Sequence, residues 1–322
     1  MRKSFLKNIV SRENFGLFLS AIILFIIISI FSEDFLTPYN IFTIGRSLSL
    51  FAFIGLTQAI ALAIGHLNMS VGAIAGLSTV AAGYLIDVLG FNIWIGIVSA
   101  IIVGIVCGAI NGLIITKIGV NAFVVTLTTM FVYTGINYGF TQGYSFVNIP
   151  ESFTIIGRGK FFGIPLILIF TVVVFTIMFL FYKYNLIGRR SLAIGQSIEA
   201  TVFSGINTDN IIILNHALSG FVASIGALLF ISKMGSAAPV TGKDWLIISF
   251  AVAIIGGTAL SGGSINVFGI FIGAAIFVMI KNGLVLLQLN VYWQQAFIGL
   301  IVLLAVGIDR AKTVYSERRP IL

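Results

Sequence analysis

Residues 92–116 read NIWIGIVSAIIVGIVCGAINGLIIT, an apolar run without a single charged side chain. A transmembrane α-helix needs about 20 such residues, at a rise of 1.5 Å each, to cross the hydrocarbon layer. The run is read as a membrane span, and the composition agrees. Of 322 residues, 59% are hydrophobic and 9% charged, against roughly 25% charged in an average globular chain. A soluble protein of this make-up would have nothing to cover its surface. The same run carries Ala100, Gly104, Gly108 and Gly112 at four-residue spacing, as do the pairs Gly72 and Gly76, and Gly269 and Gly273. Small residues at this interval make a stripe along which two helix backbones approach closely. Such stripes serve tight packing or sliding surfaces for gating; packing is the simpler assignment.

Ten runs along the chain qualify as spans: 15–32, 47–65, 70–88, 92–116, 121–141, 163–182, 210–231, 245–261, 267–287 and 294–310. The expected fold class is all-α, a polytopic membrane protein with about ten transmembrane helices in one domain over 1–322. The first run (FGLFLSAIILFIIISIF, 15–31) follows a basic start, as a signal peptide would. It is longer than a typical signal core, and Ser32-Glu33-Asp34 is no small-residue cleavage site, so the helix is expected to be retained. The polar break GHLNMS at 65–70 is either a loop or a helix interrupted inside the bilayer.

Charge sets the orientation. With ten crossings, one side holds Arg2, Lys3, Lys7, Arg12, Lys117, Lys183, Arg189, Arg190, Arg310, Lys312, Arg318 and Arg319; the other holds Arg46, Arg158, Lys160, Lys233 and Lys243. The lysine- and arginine-rich side is the cytoplasmic one. Both termini, the tails 1–14 and 311–322, and the segment 188–209 are therefore expected in the cytoplasm. The net charge of +8 reflects topology, and no basic cluster interleaved with exposed aromatics points to nucleic acid. The outer loop 142–162 is a seat for a short surface helix, and Trp94, Trp245 and Trp293 fall near outer ends as interfacial anchors.

Polar residues inside the spans are mostly uncharged: Gln58, His66, Asn68, Asn111, Asn121, Thr126, Thr128, Thr129, Asn137, Asn215 and Asn282, with Lys281 the exception. Ion-coupled carriers place charged side chains at mid-membrane; a neutral polar solute such as a sugar needs amides and hydroxyls. Catalytic motifs are missing. Gly159-Lys160-Phe161 and Gly242-Lys243-Asp244 fail at the hydroxyl position of a phosphate loop. His66 and His216 stand far apart in sequence without carboxylates nearby, and the single cysteine, Cys107, reads as a packing residue. No catalytic residue, metal ligand or bound cofactor is expected.

Between the sixth and seventh runs the chain breaks into GRRSLAIGQSIEATVFSGINTDN (188–210). Ser197 can cap a short helix there, Glu199 suits its positive N-terminal end, and Gly205 can turn the chain out. Ile198, Val202 and Phe203 supply an apolar set that could seat in a partner. Glu199-Ala200-Thr201-Val202-Phe203-Ser204-Gly205 resembles the first half of the EAA-x3-G signature of ATP-binding-cassette importer permeases; the second half is not recognisable after Gly205. The wider pattern is similar to ribose-type (monosaccharide) importer permeases, relatives of the branched-chain amino acid permeases. It includes Leu36-Thr37-Pro38-Tyr39-Asn40-Ile41, Ser70-Val71-Gly72, Asn111-Gly112-Leu113-Ile114, Ala193-Ile194-Gly195, Ser204-Gly205-Ile206-Asn207, Gly256-Gly257-Thr258-Ala259-Leu260-Ser261-Gly262-Gly263 and Asn282-Gly283-Leu284. These run in order from about 33 to 309. One departure stands out: where the family usually has Gly-Gly-Ile-Asp-Leu-Ser-Val-Gly, this chain has Gly65-His66-Leu67-Asn68-Met69-Ser70-Val71-Gly72.

The resemblance implies a permease subunit in the bacterial inner membrane that takes up a sugar or sugar-like solute. It implies a second permease subunit, identical or closely related, within membrane lipid. ATP would be bound by a separate ATPase subunit, and solute delivered by an extracytoplasmic binding protein. Glu199, Ala200, Ser204, Gly205, Ile206 and Asn207 are then expected to couple to the ATPase, and Asn68, Ser70, Asn121 and Thr126 to line the translocation path. The rivals are a self-sufficient secondary transporter or channel, and an importer permease for nucleosides or branched-chain amino acids.

Overall fold

The computed structural model describes residues 12–288 and, beyond them, positions 290, 293, 296, 297, 299, 300 and 303. The expected span 294–310 lies largely outside the described residues, as do the tail 311–322 and most of the tail 1–14. Twelve α-helices are described: α1 (Arg12–Phe31), α2 (Pro38–Ala63), α3 (Val71–Gly83), α4 (Ile93–Leu113), α5 (Ala122–Thr141), α6 (Glu151–Arg158), α7 (Leu166–Tyr184), α8 (Leu186–Gln196), α9 (Ile198–Phe203), α10 (Thr208–Met234), α11 (Trp245–Ile255) and α12 (Val267–Leu286). π-Helical turns extend α3 over Tyr84–Val88 and α4 over Ile114–Ile118. A two-residue hairpin, Lys160–Phe161 against Ile164–Pro165, leads into α7.

Among the described residues, six helical stretches are long and apolar enough to cross a membrane: Pro38–Ala63, Val71–Val88, Ile93–Ile118, Leu166–Tyr184, Thr208–Met234 and Val267–Leu286. Phe15–Phe31 and Trp245–Ile255 are shorter apolar helices. The protein is thus all-α and multi-pass. The expected surface helix in 142–162 is α6.

Two boundaries differ from the hydropathy reading. α2 begins at Pro38, not 47, because Thr37 caps the Asn40 N–H and proline at the first helical position loses no hydrogen bond. α11 ends at Ile255, not 261. There Gly256 is pressed against the backbone of Gly269 and Ile270, and Gly257 takes a φ of +79°. Trp245 also departs from expectation. It is 5% exposed and packs edge-on to Phe230, so it is a core residue, whereas Trp94 and Trp293 are exposed.

α2 is the central helix: 83% of its most apolar stretch is buried, against 28% for α4 and for α7. α10 runs antiparallel beside it, with Ser219 Oγ donating to the Thr57 carbonyl at 2.9 Å. α4 packs antiparallel on the other side of α10. Its small-residue stripe makes this contact: Gly104 faces Gly220 and Ser224, Gly108 faces the His216 carbonyl, and a Cβ on Gly112 would lie 2.6 Å from Ile213 Cα. The stripe serves packing.

The arrangement repeats. α2 ends at a break opened by Gly65 (φ +76°), and α10 at a break opened by Gly235 (φ +77°). α4 carries Asn111-Gly112-Leu113 near its C-terminal end, and α12 carries Asn282-Gly283-Leu284. As α4 packs on α10, so α12 packs on α2, where Asn282 and Asn40 exchange amide hydrogen bonds of 2.7 and 3.1 Å. Since α2 and α10 are antiparallel, the two units are inverted relative to each other, an arrangement that puts one break at each end of the bundle. At one end Lys117 pairs with Asp209 (2.9 Å) and Gly195 meets Ala63 and Gly263. At the other, Arg46 donates to the Gly157 carbonyl (2.8 Å), Arg158 to the Met234 carbonyl (2.6 Å), and Asp87 accepts the Val147 and Asn148 N–H groups.

Because a Cβ at position 108 would collide with backbone, Gly108→Ala should destabilise the bundle by about 1–3 kcal/mol. Gly139→Ala, on α5 with open space around it, should instead gain about 0.5–1 kcal/mol. Thermal unfolding of the two variants in one detergent checks both signs.

Candidate functional site

The first break, residues 64–70, is a helix interrupted inside the bundle. Gly65 takes the left-handed conformation that ends α2, and its N–H still reaches the Leu62 carbonyl at 2.8 Å. The His66 N–H still reaches the Ala61 carbonyl at 3.1 Å; beyond it the backbone leaves the helix, and in a membrane every such group must find a partner. Side chains supply them. Gln58, one turn and a half back on α2, donates to the Asn68 carbonyl (2.8 Å) and accepts the Asn68 N–H (3.2 Å). Thr126 of α5 accepts the Met69 N–H at 3.0 Å and can donate to the Leu67 carbonyl at 3.0 Å.

Asn68 and Ser70 then organise the return into α3. Asn68 Oδ1 accepts from the Ser70 N–H (3.1 Å) and hydroxyl (2.8 Å), and its amide donates to Ser219 (3.1 Å). Ser70 Oγ accepts from Asn111 (2.8 Å), whose own oxygen faces Tyr133 OH at 3.1 Å. Five helices, α2 to α5 and α10, therefore meet in one buried polar network without a formal charge. Asn68, Ser70 and Thr126 are fully buried in it. Asn121 is placed differently: it caps α5 through the Phe123 N–H (2.8 Å) and lines a cavity of about 410 Å³ with His66, Asp209 and Ile198.

The histidines, 150 residues apart, are joined: His66 Nδ1 and His216 Nε2 are 3.1 Å from each other. One imidazole donates and the other accepts. Sequence separation concealed this pair, although both residues fell within predicted runs or their break. Among the described residues no group of three or more His, Cys, Asp or Glu is placed to hold a metal.

The polar segment 188–209 folds as two short helices. α8 is capped by Asn185, which accepts the Ile187 N–H at 2.8 Å, and is tied to α10 by Asn215 donating to Ser191 at 2.6 Å. The chain then turns through extended Ser197, whose hydroxyl accepts the Ala200 N–H (3.2 Å) and caps α9. Glu199 stands in the first turn of α9, Ser204 bonds back to the Ala200 carbonyl (2.9 Å), and Gly205 (φ +74°) turns the chain away. Ile206 packs against the cluster formed by Ile194, Ile211 and Ile212, and Asn207 caps α10 through the Asn210 N–H (3.1 Å). Ile198, Val202 and Phe203 are exposed, Phe203 at 91%.

This segment touches the break. Gly195 lies so close to the Ala63 carbonyl and Gly263 that no side chain fits, and a Cβ on Gly262 would be 2.7 Å from Gly65 Cα. Gly263 N–H donates to the Ala63 carbonyl at 3.1 Å. The end of α2, the end of α8 and the loop before α12 thus share one glycine-built junction. Sequence reasoning selected Gly205 and missed Gly195, whose signal was present in the quoted Ala193-Ile194-Gly195.

The sequence model of the family described as "Branched-chain amino acid transport system / permease component" matches residues 40–306. The ribose import permease protein RbsC of Bacillus subtilis (strain 168) is 34% identical over 304 residues, 94% of this chain and 94% of its own. The protein of the same name from Haemophilus influenzae is 33% identical over 296 residues, 91% of each chain. The D-allose transport system permease protein AlsC of Escherichia coli (strain K12) is 31% identical over 294 residues, 91% of this chain and 90% of its own. No solved structure matches.

Gln58→Leu removes both partners of the Asn68 backbone while keeping an apolar side chain of similar length. It should destabilise the fold by about 2–6 kcal/mol, the cost of two buried unpaired groups. Thr128→Val, on the exposed side of α5, should be near neutral in the same unfolding assay.

Proposed function

This chain belongs to the family of branched-chain amino acid transport system permease components, and from that premise we propose that it is the membrane-spanning subunit of an ATP-binding-cassette importer for a sugar or sugar-like solute. The relatives named for ribose and allose support the solute class. The observation that carries the coupling role is α9: a capped six-residue helix presenting Ile198, Val202 and Phe203 outward while its flanks are anchored in the bundle. Apolar side chains held outward at the end of a membrane domain suit a groove on an ATPase subunit.

In this reading ten helices cross the bacterial inner membrane with both termini cytoplasmic, and the end holding Lys117, Asp209 and α9 faces the cytoplasm. Lysine and arginine counts support that orientation. The opposite end, with α6 and the second break, receives solute from an extracytoplasmic binding protein, and a second permease subunit completes the path. Glu199, Ala200, Ser204, Gly205, Ile206 and Asn207 form and flank the coupling helix. Asn121, beside His66 in the inner cavity, contacts solute, while Asn68, Ser70 and Thr126 hold the wall against which it passes.

Coupling follows from the connections. When the ATPases close, α9 moves; α8 moves with it and presses on the Gly195 junction, which ends α2 at the break. The two arrangements of the break then correspond to inward and outward opening, and ATP binding shifts the balance between them.

Gly205→Val places a β-branched residue at a φ of +74°, which only glycine adopts without strain. Uptake and stimulation of the ATPase should fall together in this variant, and the ATPase should no longer co-purify in stoichiometric amount, while membrane insertion stays normal. Lys117→Gln should leave uptake nearly unchanged, because its partner Asp209 is exposed and such pairs are worth about 0–1 kcal/mol. Normal uptake by the Gly205 variant, or solute movement by the isolated chain in liposomes without ATP, would overturn the reading.

A further inference from the structure

A second polar region lies at the opposite end of the bundle and takes no part in the network of the first break. Between α2, α10, α11 and α12 sits a cavity of about 460 Å³. Lys233, Lys243 and Lys281 line it, and Asp244 is the one acidic residue in its wall. Lys233 donates to Ser47 Oγ at 3.1 Å, and Lys281 Nζ lies 5.4 Å from the centre of the Phe51 ring, one turn further along α2. Neither is neutralised: among the described residues the only ion pair is Lys117–Asp209, at the other end of the molecule. Arg46 and Lys281 both act on Lys233 as like charges.

Ammonium groups in the outer reaches of membrane helices are costly unless they meet water, a headgroup or an anion. Three of them sharing one recess with a single carboxylate leave an excess of positive charge that calls for a counter-anion. Below the lysines the wall changes character, with Leu50, Ile54, Ile248 and Val278 making an apolar floor. Lys281 stands five residues before the end of α12, about 7 Å in from the helix end, the depth at which a headgroup meets its acyl chains. A cationic rim over an apolar floor matches an anion that carries its own apolar tail.

We propose that this cavity is a binding site for a phosphate-bearing amphiphile, the phosphate held by Lys233, Lys243 and Lys281 and an acyl chain laid on the floor between α2 and α12. The source is a phospholipid of the leaflet facing that end. The site is independent of which solute the permease carries.

The test is native mass spectrometry of the full-length chain purified in mild detergent, exposed to phosphatidylglycerol or to a diacylglycerol with the same chains. Wild type should retain one phosphatidylglycerol and no diacylglycerol. Each lysine removed should weaken retention about fivefold, in K281Q, in K243Q and more strongly in K233Q/K281Q; the single variants carry the test if the double variant does not fold. Equal retention of diacylglycerol would overturn the anion assignment, and unchanged retention in K281Q and K243Q would overturn the site. If inorganic phosphate stabilises the lipid-free protein as much as phosphatidylglycerol does, the site serves a soluble anion and the lipid assignment fails.

Discussion

A peptide backbone that leaves the helical conformation in the interior of an apolar bundle has no water to turn to, and the rest of this structure follows from how that need is met at residues 64–70. Gln58 and Thr126 take up the Asn68 backbone, the Met69 N–H and the Leu67 carbonyl. To reach them, α5 must lie against the break and α2 must stay straight beneath it, which puts α2 in the centre. Asn111 and Ser219 must then close on Ser70 and Asn68, which draws α4 and α10 together until only glycine fits between them. The small-residue stripe on α4 is thus the steric counterpart of the polar network. Neither is possible without the other, because the amide and hydroxyl hydrogen bonds span distances that bulkier helix faces would not allow.

The same constraint gives the break its usefulness. A continuous helix transmits force along its axis and has one stable form, whereas an interrupted one has hinges at Gly65 and at the start of α3. Gly195 and Gly263 bring the end of α8 and the loop before α12 into backbone contact with the end of α2, so little motion is lost in side chains between them. His66 and Asn68 occupy this segment where the family usually has glycine and aspartate. His66 is not loose there, since its hydrogen bond to His216 ties the break to α10 at a second point. The substitution of Asn68 for an acid also keeps the whole network neutral, so it offers hydrogen bonds without a fixed charge.

Hydropathy alone revealed the class of the fold, all-α and multi-pass, because crossing a membrane is a property of each segment separately. The short helix α9 was legible for the same reason: Ser197, Glu199 and Gly205 fall within nine consecutive residues, and caps are local. What could not be read depended on partners distant in sequence. That 65–70 packs into the bundle turned on Gln58 and Thr126, which take up its backbone. The His66–His216 contact joins residues 150 apart, and Trp245 looked like an anchor until Phe230 and Gly226 enclosed it. The inverted repeat left only Asn-Gly-Leu in an apolar background that any membrane helix could carry. α11 was drawn too long because Gly256 and Gly257 count as mildly apolar in a window, while in space they are where α12 comes closest.

The two polar regions are of opposite kinds, and that contrast bears on what each is for. In the network around the first break, amides and hydroxyls satisfy one another, and the cavity beside it is lined by Asn121, Thr116 and His66, with Asp209 already engaged by Lys117. A sugar, all hydroxyls and no charge, can exchange hydrogen bonds with such a surface at little net cost and leave again. Around the second break, by contrast, three lysines face one aspartate over an apolar floor. A neutral sugar would gain nothing from that charge, and a transient passenger held by it would be slow to leave. The charge therefore suits the resident amphiphile proposed for that cavity, and the two chemistries stay apart, at opposite ends of the bundle.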